Sequence, residues 1–238
     1  MISVTKKVGE TPLELLDRLR IEKPELKEEK LSYAGRLDPM AEGETLVLVG
    51  DEENKNSEDH LGYDKEYVAT FLIGMKTDTG DAMGLIEDME EVSISKQEIE
   101  LQINNFNNIK KQTYPWFSAK TVNGKKLFNH YKEGNPDNIV RPEREVKIYE
   151  SELLSFNTSN KQEDIKKYIF DSINKVNGDF RQKEILESWE KYFEGNKKEP
   201  ITFEVRLKVS TGTYIRGLTE NLDFPVILLK LNRTNIFT

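Results

Sequence analysis

Two stretches of the chain alternate apolar and polar side chains with a period of two, and they constrain its fold more than any other feature. Asp64–Gly74 is rich in β-branched and aromatic residues, and Ile201–Ser210 places Phe203, Val205, Leu207 and Val209 at every second position. Successive strand side chains point to opposite faces, so this pattern predicts strands. Shorter strands are predicted at Ile2–Val4, Leu46–Val49, within Arg144–Phe156 (apolar at Val146, Ile148 and Tyr149) and at Val226–Leu231. Helices are interspersed. Thr11-Pro12-Leu13-Glu14 is a capping box with proline at the first helical position. Leu13, Leu16 and Leu19 form the apolar stripe of that helix, with Leu15 on its flank. Ser95 and Glu98 cap a second helix, with Ile99, Ile103 and Phe106 on one face. The expected class is mixed α/β, of the α+β kind, with flanking helices.

Residues 157–200 differ from the rest. They are rich in Asn, Lys and Glu, with helical spacing at Ile165, Ile169, Ile173 and Val176 and again at Ile185, Trp189, Tyr192 and Phe193. They read as two amphipathic helices inserted into the domain. Asp51–His60 is polar, a helix or a link, and Lys76–Gly84 reads as a turn-rich, mobile edge of a cleft.

The chain has no cysteine and two histidines, His60 and His130, far apart in polar surroundings. Disulfides, thiolate catalysis and cysteine zinc sites are excluded, and both histidines are expected at the surface. No apolar run reaches the ~18 residues of a membrane span, and Met1–Lys7 lacks the apolar core of a signal peptide. A cytoplasmic protein is the expectation. Net charge is −8, but residues 105–147 hold 9 basic and 4 acidic side chains, net +5. A local basic face can hold phosphates on an acidic protein. Aromatic residues interleave with lysines there, in Gln112–Thr121 and Gly124–Gly134, either to stack bases or as ordinary core and rim.

Leu31–Gly43 reads Leu-Ser-Tyr-Ala-Gly-Arg-Leu-Asp-Pro-Met-Ala-Glu-Gly. Pro39 keeps Asp38 out of the helical region, so Asp38 belongs on a rigid loop leading into the strand after it. A carboxylate held this way suits a catalytic acid, base or nucleophile; it also suits an ordinary turn.

Several blocks together resemble the TruB family of pseudouridine synthases. They are Gly35-Arg36-Leu37-Asp38-Pro39-Met40-Ala41-Glu42-Gly43, Asp64-Lys65-Glu66-Tyr67, the Thr-Asp-Thr-Gly-Asp run of Lys76–Gly84, Gln112–Ala119 with Gly124–Gly134, and Gly212-Thr213-Tyr214-Ile215-Arg216. Lys6-x-x-Gly9 and Leu231-Asn232-Arg233-Thr234 are similar to motifs at either end of that catalytic domain. Tyr33 stands where many members have histidine, and Lys7 where they have proline.

The resemblance implies the pseudouridine synthase fold, with a largely antiparallel central sheet. It implies one catalytic domain over residues 1–238, with 157–200 as a helical insertion and without the C-terminal PUA-type domain of other members. It implies isomerisation of a uridine, that of position 55 in the tRNA T-arm, with no metal or organic cofactor. The alternatives are the same chemistry on another RNA, or an RNA-binding or RNA-folding protein of this fold without catalysis. The implied catalytic residues are Asp38, Tyr67 and Arg216, the arginine favouring the ionised carboxylate and the tyrosine stacking on the base. Implied RNA or base contacts are Lys6, Tyr33, Arg36, Lys120, Lys125, Lys126, Tyr214, Leu231 and Arg233. RNA is the expected partner, and a monomer without membrane association the expected state.

Overall fold

The computed structural model describes residues 1–56, 62–134 and 136–237. His60 therefore lies outside the described residues. The strands are β1 (Ile2–Lys6), β2 (Leu31–Ala34), β3 (Glu42–Val49), β4 (Asp64–Ile73), β5 (Met75–Thr77), β6 (Ile86–Met89), β7 (Lys111–Thr113), β8 (Thr121–Val122), β9 (Lys125–Lys126), β10 (Glu143–Glu145), β11 (Ile148–Asn157), β12 (Thr202–Val209) and β13 (Val226–Phe237). The α-helices are α1 (Pro12–Glu22), α2 (Gly50–Lys55), α3 (Lys96–Asn105), α4 (Leu127–Lys132), α5 (Gln162–Asn174) and α6 (Gln182–Gly195).

A seven-stranded sheet runs β1-β3-β13-β4-β12-β11, with β2 added on β3. Every pairing in it is antiparallel except β3 with β13, which meet in parallel only at Asn232↔Glu42 and Arg233↔Gly43. That short seam joins the two halves of the sheet. Gly43 is required there: at φ +116° a Cβ would lie 2.3 Å from the Arg233 carbonyl oxygen.

The two faces of the sheet carry separate cores. Tyr67, Ala69, Phe71 and Ile73 of β4 and Phe203, Val205, Leu207 and Val209 of β12 share one face, against Ile99, Ile103 and Phe106. Leu72, Ile227 and Leu229 meet Ile165, Ile169, Trp189 and Phe193 on the other. Residues 162–195 thus form the predicted helix pair, and their apolar stripes cover the sheet. Among the described residues no helix is long and apolar enough to cross a membrane.

Both capping boxes form as expected, Thr11 with Glu14 and Ser95 with Glu98. Three local expectations shift. On α1 the buried stripe is Leu15, Leu16 and Leu19, facing Val47, while Leu13 is exposed. Tyr149 is exposed because a bulge between Ile148 and Glu150 turns it off the core face. His130 is half-buried, its Nε2 3.0 Å from the Val122 carbonyl.

Candidate active site

Asp38 lies on the loop between β2 and β3, at the sheet seam. The loop is held from below by apolar burial and by polar contacts. Leu37, Met40 and Ala41 are buried. Gly9 N–H donates to the Pro39 carbonyl at 2.8 Å, and Ala41 N–H to the Asp38 carbonyl at 3.0 Å. Lys6 Nζ donates to the carbonyls of Ala41 at 2.6 Å, Lys7 at 3.1 Å and Pro39 at 3.3 Å. Burial brings the Lys6 ammonium down to about 8. The result is a carboxylate on a fixed backbone, with its own side chain 41% exposed.

Arg216 reaches this carboxylate from the 3-10 helix Ile215–Asn221 that follows β12. Its Nε lies 3.0 Å from Asp38 Oδ2 and 3.9 Å from Asp81 Oδ2. Its Nη1 donates to the Thr79 carbonyl at 3.1 Å and its Nη2 to that of Phe117 at 2.7 Å. Two loops therefore aim a buried guanidinium at Asp38. The Thr77–Gly84 segment is a tightly bonded turn rather than a mobile edge. Thr79 Oγ1 donates to Asp81 Oδ1 at 2.7 Å, as does Met83 N–H at 2.8 Å, and Leu85 N–H donates to Asp78 Oδ1 at 2.9 Å. Burial raises the Asp81 carboxyl to about 6, against the pull of Arg216.

Asp38 opens on a cavity of about 610 Å³, walled by Tyr67, Leu231, Tyr214 and Leu228 among others. Leu228 and Leu231 both face it because a bulge between Leu228 and Lys230 resets the alternation of β13. Tyr67 is 6% exposed, and burial pushes its phenol above the usual range. Among the described residues five cations line this cavity, Arg36, Lys65, Arg144, Arg216 and Arg233, with Asp38 as the one carboxylate. Lys65 is brought down to about 8, by burial first and then by Arg233. Arg144 lies across Gly212, where a Cβ would come within 1.9 Å of its guanidinium, and donates to the Thr211 carbonyl at 3.3 Å.

Other residues expected at the site are placed differently. Lys6 and Arg233 are each 1% exposed. Arg233 donates to the carbonyls of Glu44 at 2.5 Å and Gly35 at 3.2 Å and to Thr45 Oγ1 at 3.1 Å. Both cations brace the Asp38 loop from inside rather than offering charge to an RNA. Tyr33 packs with the α1 cluster, and Arg36 lies over its ring, 5.9 Å from the centroid. Lys120 and Lys126 are exposed, Lys125 pairs with Glu133 at 2.5 Å, and none of the three lines the cavity. Lys65, Asp81 and Arg144 were missed as site residues; the signal for Asp81 was its place in the Thr-Asp-Thr-Gly-Asp run.

Among the described residues no group of three or more His, Asp or Glu side chains gathers as a metal site. The arrangement supplies a carboxylate, a fixed cation, an aromatic-apolar wall and a basic rim. Such a set can hold an anionic polymer while one planar group enters the cavity.

The sequence profile of the TruB family pseudouridylate synthase (N terminal domain) matches residues 23–169, well over half of the chain. The chain belongs to the TruB family. The matched range includes Asp38, Tyr67 and Asp81, while Arg216 and Leu231 lie beyond it. Over 156 residues the chain is 35% identical to the tRNA pseudouridine synthase B of Fusobacterium nucleatum, covering 66% of this chain and 52% of that protein. It is 34% identical over 158 residues to that of Protochlamydia amoebophila, covering 66% and 58%. The chain thus spans about half the length of these TruB relatives. Among solved structures, that of a Cbf5-Nop10-Gar1 complex superimposes with a TM-score of 0.57 at 19% identity, over 99% of this chain and 48% of that one. The archaeal box H/ACA sRNP Nop10-Cbf5 complex gives 0.52 at 17%, over 99% and 47%. The sheet and its flanking helices are those of the pseudouridine synthase fold.

Proposed function

We propose that the protein isomerises a uridine of tRNA, that of the T-arm, to pseudouridine. The N1–C1′ bond breaks, a C5–C1′ bond forms, and the proton lost from C5 is balanced by one gained at N1. Nothing is oxidised or hydrolysed, so the reaction needs no redox cofactor. The observation that carries this reading is Asp38: a carboxylate ion-paired with buried Arg216 on a cavity where, among the described residues, it is the one acid beside five cations. The TruB relatives bearing the name tRNA pseudouridine synthase B support the tRNA substrate.

In this reading Asp38 supplies the carboxylate for the bond exchange, and Arg216 keeps it oriented. A uridine must leave its stack to reach Asp38, at a cost of a few kcal/mol. Tyr67 and Leu231 offset that cost by packing on the flipped base. Arg36 and Arg144 hold the flanking phosphates. Residues 157–200 act as a helical insertion within one catalytic domain.

The test is incubation with an unmodified tRNA transcript followed by chemical mapping of pseudouridine. Product at the T-arm uridine is expected. Absence of product overturns the enzyme reading, and product at another uridine overturns the site.

A further inference from the structure

Arg216 is aimed at Asp38 by two carbonyls, those of Thr79 and Phe117. A single side chain of the helix pair touches both segments that carry them. Arg181, in the turn between α5 and α6, donates through Nη1 to Asp78 Oδ2 at 2.6 Å, and its guanidinium lies 4.6 Å from the Phe117 ring centroid. Resting on the reading above, in which Arg216 orients Asp38, we propose that Arg181 is a positioning residue: through it the turn of the helix pair fixes Arg216 against Asp38.

Three features carry the proposal. First, the Arg181–Asp78 pair is enclosed, with the two side chains 21% and 3% exposed. Asp78 immediately precedes Thr79, and its other oxygen accepts from Leu85 N–H at 2.9 Å. Its carboxylate is thus held by the turn's own backbone on one side and by Arg181 on the other. Removing the guanidinium leaves a buried charge half-satisfied at the point where Arg216 takes its grip. Second, Arg181 sits in the left-handed region at φ +61°, which a residue other than glycine seldom adopts. Gln182 keeps it there: its Nε2 donates to the carbonyls of Gly178 at 2.8 Å and Val176 at 3.0 Å, and its Oε1 accepts from Phe180 N–H at 3.0 Å. Strain of this kind persists where the surroundings over-determine it, and it concentrates at working sites. Third, the same turn rests on the support of the Asp38 loop. Gly9 N–H holds the Pro39 carbonyl, and Lys175 packs so closely on Gly9 that a Cβ there would lie 2.3 Å from Lys175 Cβ. Asn177 Nδ2 donates to Glu14 Oε1 at 2.6 Å, at the first turn of α1.

Residues 175–181 therefore span the two supports, one beneath Asp38 and one around Arg216. Helix α6 reinforces the second: Trp189 Nε1 donates to the Ala82 carbonyl at 3.1 Å, and Ser188 Oγ accepts from Ile86 N–H at 3.3 Å. Misplacing a catalytic group by about 1 Å can cost on the order of a hundredfold in rate, so a brace of this kind acts on turnover more than on binding. Asp179, Phe180 and Arg181 also line a second cavity, of about 370 Å³, together with Asp38 and Arg216. The experiment must therefore separate positioning from contact with bound RNA.

The full chain is tested with an unmodified tRNA transcript, by single-turnover pseudouridine formation at saturating protein and by filter retention of the same RNA. Arg181→Ala is expected to lower the saturated rate on the order of tenfold, with retention within about twofold of wild type and the melting temperature unchanged. Arg181→Lys keeps a cation for Asp78 and loses the flat face on Phe117, so its rate is expected between the two. An unchanged rate in Arg181→Ala overturns the proposal. Retention lost as far as the rate also overturns it, because Arg181 would then be an RNA contact. So does a melting transition that is lowered or no longer cooperative in Arg181→Ala, which would make it a packing residue. A lysine variant as slow as the alanine one removes the tie to Asp78 and with it the proposal. If wild type forms no pseudouridine, the failure is that of the reading on which the proposal rests.

Discussion

The two walls of the Asp38 cleft are built in opposite ways. On one side Lys6, Asp38, Lys65, Arg216 and Arg233 come from distant parts of the chain and meet at the β3–β13 seam. That wall is made of charge, and each charge is held by backbone carbonyls or by another charge. On the other side Phe180 and Arg181 come from one continuous segment, braced by a helix pair with an apolar interior. Burying a charge is expensive unless it is paired, so the first wall depends on long-range geometry. The second depends on ordinary apolar packing. The lesson is that the two walls of one cleft can be secured by different forces.

The largest separate effect is expected from Trp189→Ala on α6. Trp189 is fully buried, and its Nε1 donates to the Ala82 carbonyl at 3.1 Å. The loss should be about 3–5 kcal/mol in urea unfolding, in one cooperative transition. Two transitions would mean that the helix pair folds apart from the sheet, and the contrast between the walls would become one between two folding units.

A smaller effect is expected from Asp81→Asn at the base of the charged wall. The folded carboxyl is raised to about 6 from an ordinary 3.8. A raised carboxyl pKa favours the protonated form in the folded state, so its contribution is fully present below pH ~4 and is lost as pH rises through ~6. The shift is worth on the order of 3 kcal/mol. The difference between wild-type and variant stability should therefore change between pH 4 and 6 and be flat above about 7. A flat difference throughout would remove Asp81 from the account of the wall.

The smallest effect is expected from side chains that line neither cavity. Lys125→Ala with Lys126→Ala should reduce the salt dependence of RNA binding by about one unit of slope, less than two phosphate contacts would give, because Lys125 is already paired with Glu133. An unchanged slope would confine the RNA grip to the cavity rim.

These differences also decide what could be read from the sequence. The capping boxes at Thr11 and Ser95, the alternation in β4 and β12 and the helical spacing of 162–195 are local, and each forms where expected. The Asp38 loop was legible because Pro39 and two glycines act on neighbouring residues. Lys6 and Arg233 were misplaced because a lysine or arginine reads as a surface charge until the carbonyls that bury it are in view. The face taken by Leu231 depends on a bulge that leaves no mark in the alternation. Phe180 sits in a polar turn between two helices, and only the tertiary path of that turn brings it to the cleft.

The central claim is that Asp38 performs chemistry in a cavity whose other groups bind. Single-turnover formation of pseudouridine by Asp38→Asn, measured beside filter retention of the same unmodified tRNA, tests it most directly. The account predicts product at background with retention within a few-fold of wild type. Product at an appreciable rate, or loss of retention together with product, would contradict it.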